Sequence, residues 1–283
     1  MTANGITHVY FLNRDTYLEY SLSFSGNKIS YFSDSLDNKY NKFLKYEDEF
    51  VNTAFRFSTL INQKLSARGT LRTGIIASRL GFNVYAKGEN EEKTALEEFV
   101  NNQGNTMLVQ AYSQYKHRLT EQLTLSGGVH SMYLTLNNNF SLEPRAGLKW
   151  NFLPKQSLSA GMGLHSRIES MSNYFSQQTL ADGQVVRPNQ NLDFMKAWHY
   201  VLAYDRKFWE DLHLRMEIYY QQLNNVPIAP VGVTDPRLRS FSALNFDSGF
   251  TTDSLVNEGK GRNYGVEITL EKYFTRNYYF YGQ

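Results

Sequence analysis

Apolar and polar residues alternate with a period of two along most of the chain, which predicts β-strands with two unlike faces. At Leu142, Pro144, Ala146, Leu148, Trp150 and Phe152 every even position is apolar. Between them stand Ser141, Glu143, Arg145, Gly147, Lys149 and Asn151, all polar or glycine. The same alternation runs from Leu158 to Leu164, Leu212 to Tyr220, Leu18 to Phe24 and Tyr264 to Leu270. Between Phe194 and Arg206 the odd positions are also fairly apolar, so that strand is assigned partly from its neighbours. A one-residue slip of the strand through Glu143 would exchange its faces. Against lipid, each Arg or Lys would then cost roughly 2–4 kcal/mol near the midplane.

Laid end to end, the segments predict about 12 strands, at 5–13, 16–28, 50–62, 66–83, 105–117, 122–136, 140–152, 156–168, 193–206, 211–223, 262–273 and 277–283. Short turns fall at 13–15, 63–65, 118–120, 153–155, 207–209 and 274–276, whereas the connections 29–49, 84–104, 169–192 and 224–261 are long and polar. A soluble sandwich uses strands of about 5 or 6 residues and has no reason to sort its loops by length. These segments run to about a dozen residues, enough to cross a bilayer at a tilt. Short periplasmic turns opposite long extracellular loops are the habit of outer-membrane barrels. The predicted fold is all-β: an antiparallel up-and-down transmembrane β-barrel segment. Aromatic pairs beside the turns, at Trp150 and Phe152, Phe208 and Trp209, Tyr219 and Tyr220, and Tyr273 and Phe274, match interfacial girdles.

Composition removes the competing classes. Mean hydropathy is −0.48, and the longest apolar run, Tyr200 to Tyr204, is about five residues against the roughly 20 that a membrane helix needs. Aromatic residues make up 15% of the 283 residues and charges are nearly balanced, 29 Lys and Arg against 27 Asp and Glu, so the chain can bury enough surface to fold. The net charge of +2 makes no case for a nucleic acid partner. With no cysteine there is no disulfide, thiol nucleophile or cysteine zinc site. Met1 to Gly5 lack a basic n-region and an apolar h-region, so no secretory signal is expected here. That leaves a cytoplasmic protein or a start that lies elsewhere.

Several stretches carry a family likeness. Gly261-Arg262-Asn263-Tyr264-Gly265-Val266-Glu267-Ile268-Thr269-Leu270-Glu271-Lys272 resembles a late barrel strand of TonB-dependent outer-membrane receptors. Leu142-Glu143-Pro144-Arg145-Ala146-Gly147-Leu148, and Leu214 to Pro227 ending in Tyr219-Tyr220-Gln221-Gln222-Leu223-Asn224-Asn225-Val226-Pro227, are similar to the same receptors in the Bacteroidetes style. The resemblance implies an outer-membrane barrel of roughly 22 strands with a plugged lumen. It further implies uptake of a bulky or scarce nutrient of the glycan, peptide, siderophore or cobalamin class. The implied partners are TonB with its inner-membrane energy-coupling complex and a surface lipoprotein. The chain departs from that pattern in lacking a recognisable plug or TonB-contact segment and in having about half the strands. Its last segment, 277–283, is shorter than the roughly 9–11 residues of a crossing strand. Residues 1–283 are therefore expected to be an internal portion of a receptor barrel, an incomplete barrel without plug or signal peptide.

The candidate chemistry is modest. His130-Ser131 and His165-Ser166 suggest a hydrolase, but neighbours on a strand point to opposite faces, so neither pair makes a nucleophile with its base; parity turns the histidines inward and the serines outward. Glu143, Arg145, Lys149, His165, Arg167, His213, Arg215, Glu217, Glu267 and Glu271, with Glu169, form the expected lumen-facing set. So many charges demand a wet or protein-filled interior, whether they line a solute path or only pair across strands at under about 1 kcal/mol each. Solute contact is expected in the long loops, from Tyr174, Phe175, Gln177 and Arg187 in one and Arg237, Arg239, Phe241, Phe246 and Phe250 in another. Glu91 to Val100 has helical spacing and predicts a short loop helix. No phosphate loop, His-Glu-x-x-His motif or calcium loop occurs, so no cofactor is expected. The leading expectation is a transport barrel, with a self-contained passive pore as the alternative and a barrel hydrolase behind both.

Overall fold

The computed structural model describes residues 1–89, 95–180, 182–209, 211–230, 232, 242–244, 251, 253–275 and 277–283. Its frame is one 12-stranded antiparallel sheet. In chain order the strands are β1 (Thr2–Asn13), β2 (Thr16–Leu36), β3 (Lys42–Lys64), β4 (Gly69–Glu89), β5 (Leu96–Arg118), β6 (Leu123–Leu134), β7 (Asn139–Leu153) and β8 (Gln156–Arg167). An excursion follows with helix α1 (Met171–Tyr174) and a small ribbon of β9 (Gln178–Thr179) and β10 (Val185–Val186). The sheet resumes with β11 (Met195–Lys207), β12 (Leu212–Ile228), β13 (Val256–Thr275) and β14 (Tyr278–Gly282). Each strand pairs with the one before it, β11 pairing with β8 across the excursion. Among the described residues β1 pairs only with β2 and β14 only with β13, so the sheet is open with two free edges.

The order and number of strands follow the alternation, but two expected loops do not. Positions 29–49 and 84–104 are largely sheet: β2 and β3 pair out to Leu36 and Lys42, and β4 and β5 out to Glu89 and Leu96. At roughly 3.3 Å per residue, the 23 residues of β3 run some 75 Å, far more than a bilayer needs. Apolar and polar residues mix in these extensions without a sustained alternation, although Val84, Ala86 and Val100 are buried on one face, so no long period of two marks them. They are held by backbone ladders and cross-strand pairs such as Lys28 with Glu49 at 2.6 Å and the rings of Tyr31 and Tyr46 at 6.0 Å. The expected helix at 91–100 is corrected for its second half: Leu96 to Val100 belong to β5, with Val100 fully buried, while 90–94 lie outside the described residues.

The two faces differ as the alternation requires. Leu202, Ile218 and Val266 stand in register on one face, with Leu142 and Ile268 on the same side, each more than half exposed. In water so large an apolar surface is untenable; in a bilayer it is the lipid face. The opposite face carries the charges and the only substantial core cluster of the described residues. Phe82, Val84 and Ala86 of β4, Val100 and Leu108 of β5, and Met132 and Leu134 of β6 pack there against Met171, Tyr174, Phe175, Leu192, Phe194 and Leu255. The excursion after β8 thus folds over the polar face. Asn137 and Asn139, at the β6–β7 turn, hold it down by donating to the carbonyls of Gln190 and Leu192 at 2.8–3.2 Å.

Candidate functional site

The polar face is organised around a buried carboxylate. Glu143 is 1% exposed; its Oε2 accepts from Arg145 Nη2 at 2.7 Å and from His130 Nδ1 at 2.9 Å, and its Oε1 accepts the Ser166 backbone N–H at 3.0 Å. Pro144 accounts for this arrangement. Odd residues of β7 address β6, since the Asn151 N–H donates to Gln122 O at 2.8 Å, so by the period of two the ring nitrogen of Pro144 addresses β8. Proline has no N–H to give. The β7–β8 ladder accordingly ends at Arg145 and Gly163, one pair short of Pro144. Continued in that register Pro144 would stand opposite Leu164, so the ladder loses a donor there, and past its end the Ser166 N–H is taken by the Glu143 carboxylate. Ser166 also departs from the outward position expected of it: its Oγ lies 2.6 Å from Oγ of the buried Ser141, within the gap.

The other expected polar residues fall into smaller groups on the same face. His165 lies beside His199, ring centres 4.6 Å apart. His213 and Arg215 share Asp205, at 3.1 and 3.6 Å, and Arg215 also pairs with Glu217 at 2.6 Å. Glu267 stands opposite Glu217 and Glu271 opposite His213 across the β12–β13 ladder. Lys149 borders an open, largely polar hollow at the short-turn end with Arg206, Lys207 and His213; Arg167 is exposed at the end of β8. Neither histidine–serine pair forms a nucleophile and base: His130 is engaged by Glu143 and Ser166 by Ser141. Among the described residues no group of three or more His, Asp or Glu is placed to hold a metal ion.

The loop residues separate sharply. Tyr174 and Phe175, expected to meet a solute, are buried in the core instead, Tyr174 completely and Phe175 stacked on Phe82 at 4.4 Å. Burial pushes the Tyr174 hydroxyl up to about 12. Arg187 is exposed with its guanidinium over the Phe175 ring, and Gln177 is half-buried. Arg237, Arg239, Phe241, Phe246 and Phe250 lie outside the described residues. What the alternation could not reveal is a set of asparagines that sew the loops together. Asn189, fully buried, donates to Ser176 Oγ and Asp253 O and accepts from Leu255 N; Asn173 Oδ1 accepts from Thr251 N. Asn225, at φ 54° in the left-handed region that asparagine tolerates, sits at the β12–β13 register shift. It makes a second group of such contacts with Asp193 and Asn257. Beneath the start of the excursion, a cavity of about 360 Å³ opens between it and β2–β4, lined in part by Ser25, Asn52, Arg56, Leu80, Glu169 and Ser170.

Comparison with known proteins agrees with this architecture. The family model described as "TonB dependent receptor-like, beta-barrel" matches residues 2–282. Among solved structures, the ferric-catecholate import receptor Fiu of Escherichia coli K12 superposes with TM-score 0.66 at 11% identity, over 97% of this chain and 45% of that one. The RagAB peptide importer superposes at 0.61 and 12% identity, over 97% of this chain and 34% of its own, and the copper transporter OprC at 0.61 and 12%, over 98% and 44%. The chain thus spans about a third to under a half of the length of these three structures. No curated protein sequence matches it.

Proposed function

The chain belongs to the TonB-dependent receptor-like β-barrel family, and from that premise we propose that it supplies twelve strands of the wall of an active nutrient importer. The barrel resides in the outer membrane, with the apolar face against lipid. One observation carries the proposal: the same strands bear an apolar face on one side and, on the other, a charged face over which their own loops fold. A wall of that kind separates hydrocarbon from a lumen that is wet or filled with protein. Glu143, Arg145, Lys149, His165, Arg167, His213, Arg215, Glu217, Glu267 and Glu271 line that lumen in this reading.

The two free edges support a closed barrel made with further strands, because unpaired backbone groups in hydrocarbon cost several kcal/mol each. The proposed cycle is capture of a bulky or scarce solute by the loops, displacement of a plug through TonB, and passage along the polar face. A surface lipoprotein could seat on the extended β2–β5 hairpins, which rise well beyond the membrane. The structural neighbours are described as importing ferric catecholates, importing peptides and transporting copper, so fold does not select the cargo. The loops and the cavity beside Arg56 would do so. The test is growth on a limiting nutrient in strains lacking this barrel or lacking TonB. Dependence on both is expected; uptake that persists without TonB would favour the passive pore.

A further inference from the structure

The cavity beneath the excursion brings together two opposite charges that do not meet. Arg56 of β3 stands opposite Ser78, on the same side of the sheet as Leu80, Phe82 and Val84, and Glu169 enters from the chain just after β8; both line the cavity. Among the described residues neither makes an ion pair, with the other or with a third group. Each is nevertheless held in place. Arg56 Nη1 donates to Ser25 Oγ at 3.0 Å, and Glu169 Oε1 accepts from the Ser170 N–H at 2.8 Å and from Asn173 Nδ2 at 3.3 Å. Nε and Nη2 of the arginine and Oε2 of the glutamate keep their hydrogen-bonding capacity for an occupant.

Much of the remaining wall is apolar, from Phe50, Leu80, Val84, Ile168 and Met171. Val84 and Met171 belong to the buried core, so this part of the wall is as fixed as the core itself. The volume of about 360 Å³ lies near the bottom of the roughly 300–1,000 Å³ range of small-molecule sites, which favours a small occupant. Charge then selects among small molecules. An anion alone answers Arg56 but faces the Glu169 carboxylate, and a cation alone does the reverse. A neutral sugar leaves both unanswered. A molecule with a carboxylate at one end and an ammonium at the other pairs with each, and the planar guanidinium suits the carboxylate.

We propose that the cavity receives a small zwitterion with an apolar body, a free amino acid or very short peptide, its carboxylate on Arg56 and its ammonium on Glu169. The proposal rests on the importer reading and deepens it, because it gives the solute a chemistry that the fold alone does not select.

The test titrates leucyl-leucine into the whole barrel protein carrying this chain, purified in detergent, by isothermal titration calorimetry. Two blocked forms are titrated beside it: N-acetyl-leucyl-leucine, which lacks the ammonium, and leucyl-leucine amide, which lacks the carboxylate. Each blocked form should bind about ten-fold more weakly than the zwitterion, the scale of one hydrogen bond to a charged group. In Glu169→Gln the zwitterion should weaken by that factor and the acetylated form hardly at all. In Arg56→Gln the zwitterion should weaken again, and the amide should be the form spared. Heat-modifiable migration of each variant confirms a folded barrel. Equal binding of the three compounds overturns the proposal, and so does a variant that weakens the zwitterion and its matched blocked form alike. No binding of any compound also overturns it, as when a plug or another loop fills the cavity. The titration contains no TonB, so its outcome is separate from that of the growth test. Binding as expected beside growth that does not need TonB would remove the importer reading and keep the site; TonB-dependent growth without binding would do the opposite.

Discussion

Replacing Glu143 tests the organisation of the polar face most directly. In Glu143→Ala three donors lose their acceptor: the Ser166 amide, His130 Nδ1 and Arg145 Nη2. A hydrogen bond to a charged group contributes about 1.5–3 kcal/mol, and the Ser166 amide lies past the end of the β7–β8 ladder, which stops at Arg145 and Gly163. His130 is largely buried and adds about 1 kcal/mol on the same scale. Arg145 is 44% exposed, so water screens its share to under about 1 kcal/mol. The total, roughly 3–5 kcal/mol, agrees with the cost of breaking a buried ion pair from one side. Glu143→Gln keeps an oxygen for Ser166 and should cost only about 1–2 kcal/mol. The assay is equilibrium urea unfolding of the whole barrel protein folded into lipid vesicles, with the midpoint and slope fitted separately. An Ala variant within about 0.5 kcal/mol of the parent, the scatter of ordinary surface substitutions, would refute the assignment of Glu143 as the acceptor that organises the end of the β7–β8 ladder.

Three other outcomes are expected. Asn189→Ala leaves Leu255 N, Ser176 Oγ and Asp253 O without their partner, so limited proteolysis should accelerate in both 170–192 and 251–257 together; cleavage confined to one segment would mean that the loops are not coupled. In the turn between β2 and β3, hydrogen bonds from the Asn41 side chain and backbone and from the Lys39 amide hold the Asp37 carboxyl below its ordinary 3.8. A depressed carboxylate contributes order above its unfolded value that is lost as pH falls through the folded one, so the protection of the Lys39 and Asn41 amides, relative to their intrinsic exchange rates, should hold at neutral pH and fall only below 3.8. Constant protection across that range would contradict the capping role. Finally, the isolated 283-residue chain leaves the outer edges of β1 and β14 unpaired, so it should give no steady single-channel conductance in planar bilayers; stable channels would show that the sheet closes on itself.

Alternation of the kind seen at Leu142, Glu143, Arg145 and Leu148 was enough, without coordinates, to set the number of strands in the sheet and the side most of their residues take, Ser166 being an exception. This is because a strand turns each successive side chain to the opposite face, so faces are a local property of the chain. The likeness of Gly261 to Lys272 to a receptor strand was local in the same way, and the family match extends it over residues 2–282. Locality also explains what was missed. The outer parts of β2–β5 carry no sustained alternation, so their pairing out to Leu36 and Glu89 depends on neighbours that a period of two cannot report.

Tertiary structure decided the rest. Pro144 is visible in the sequence, but that its bare nitrogen faces β8, and that Glu143 and Ser166 meet in the resulting gap, depends on which strand lies on which side. Tyr174 and Phe175 looked like loop aromatics available to a solute, and only the inward fold of the excursion onto Phe82 and Leu134 turned them into core. Asn189 reaches Asp253 and Leu255 across more than sixty residues of chain. Contacts of that separation are chosen by the packing of one loop against another, where burial of apolar surface outweighs the entropy of closing a long loop, and no spacing within either loop encodes them.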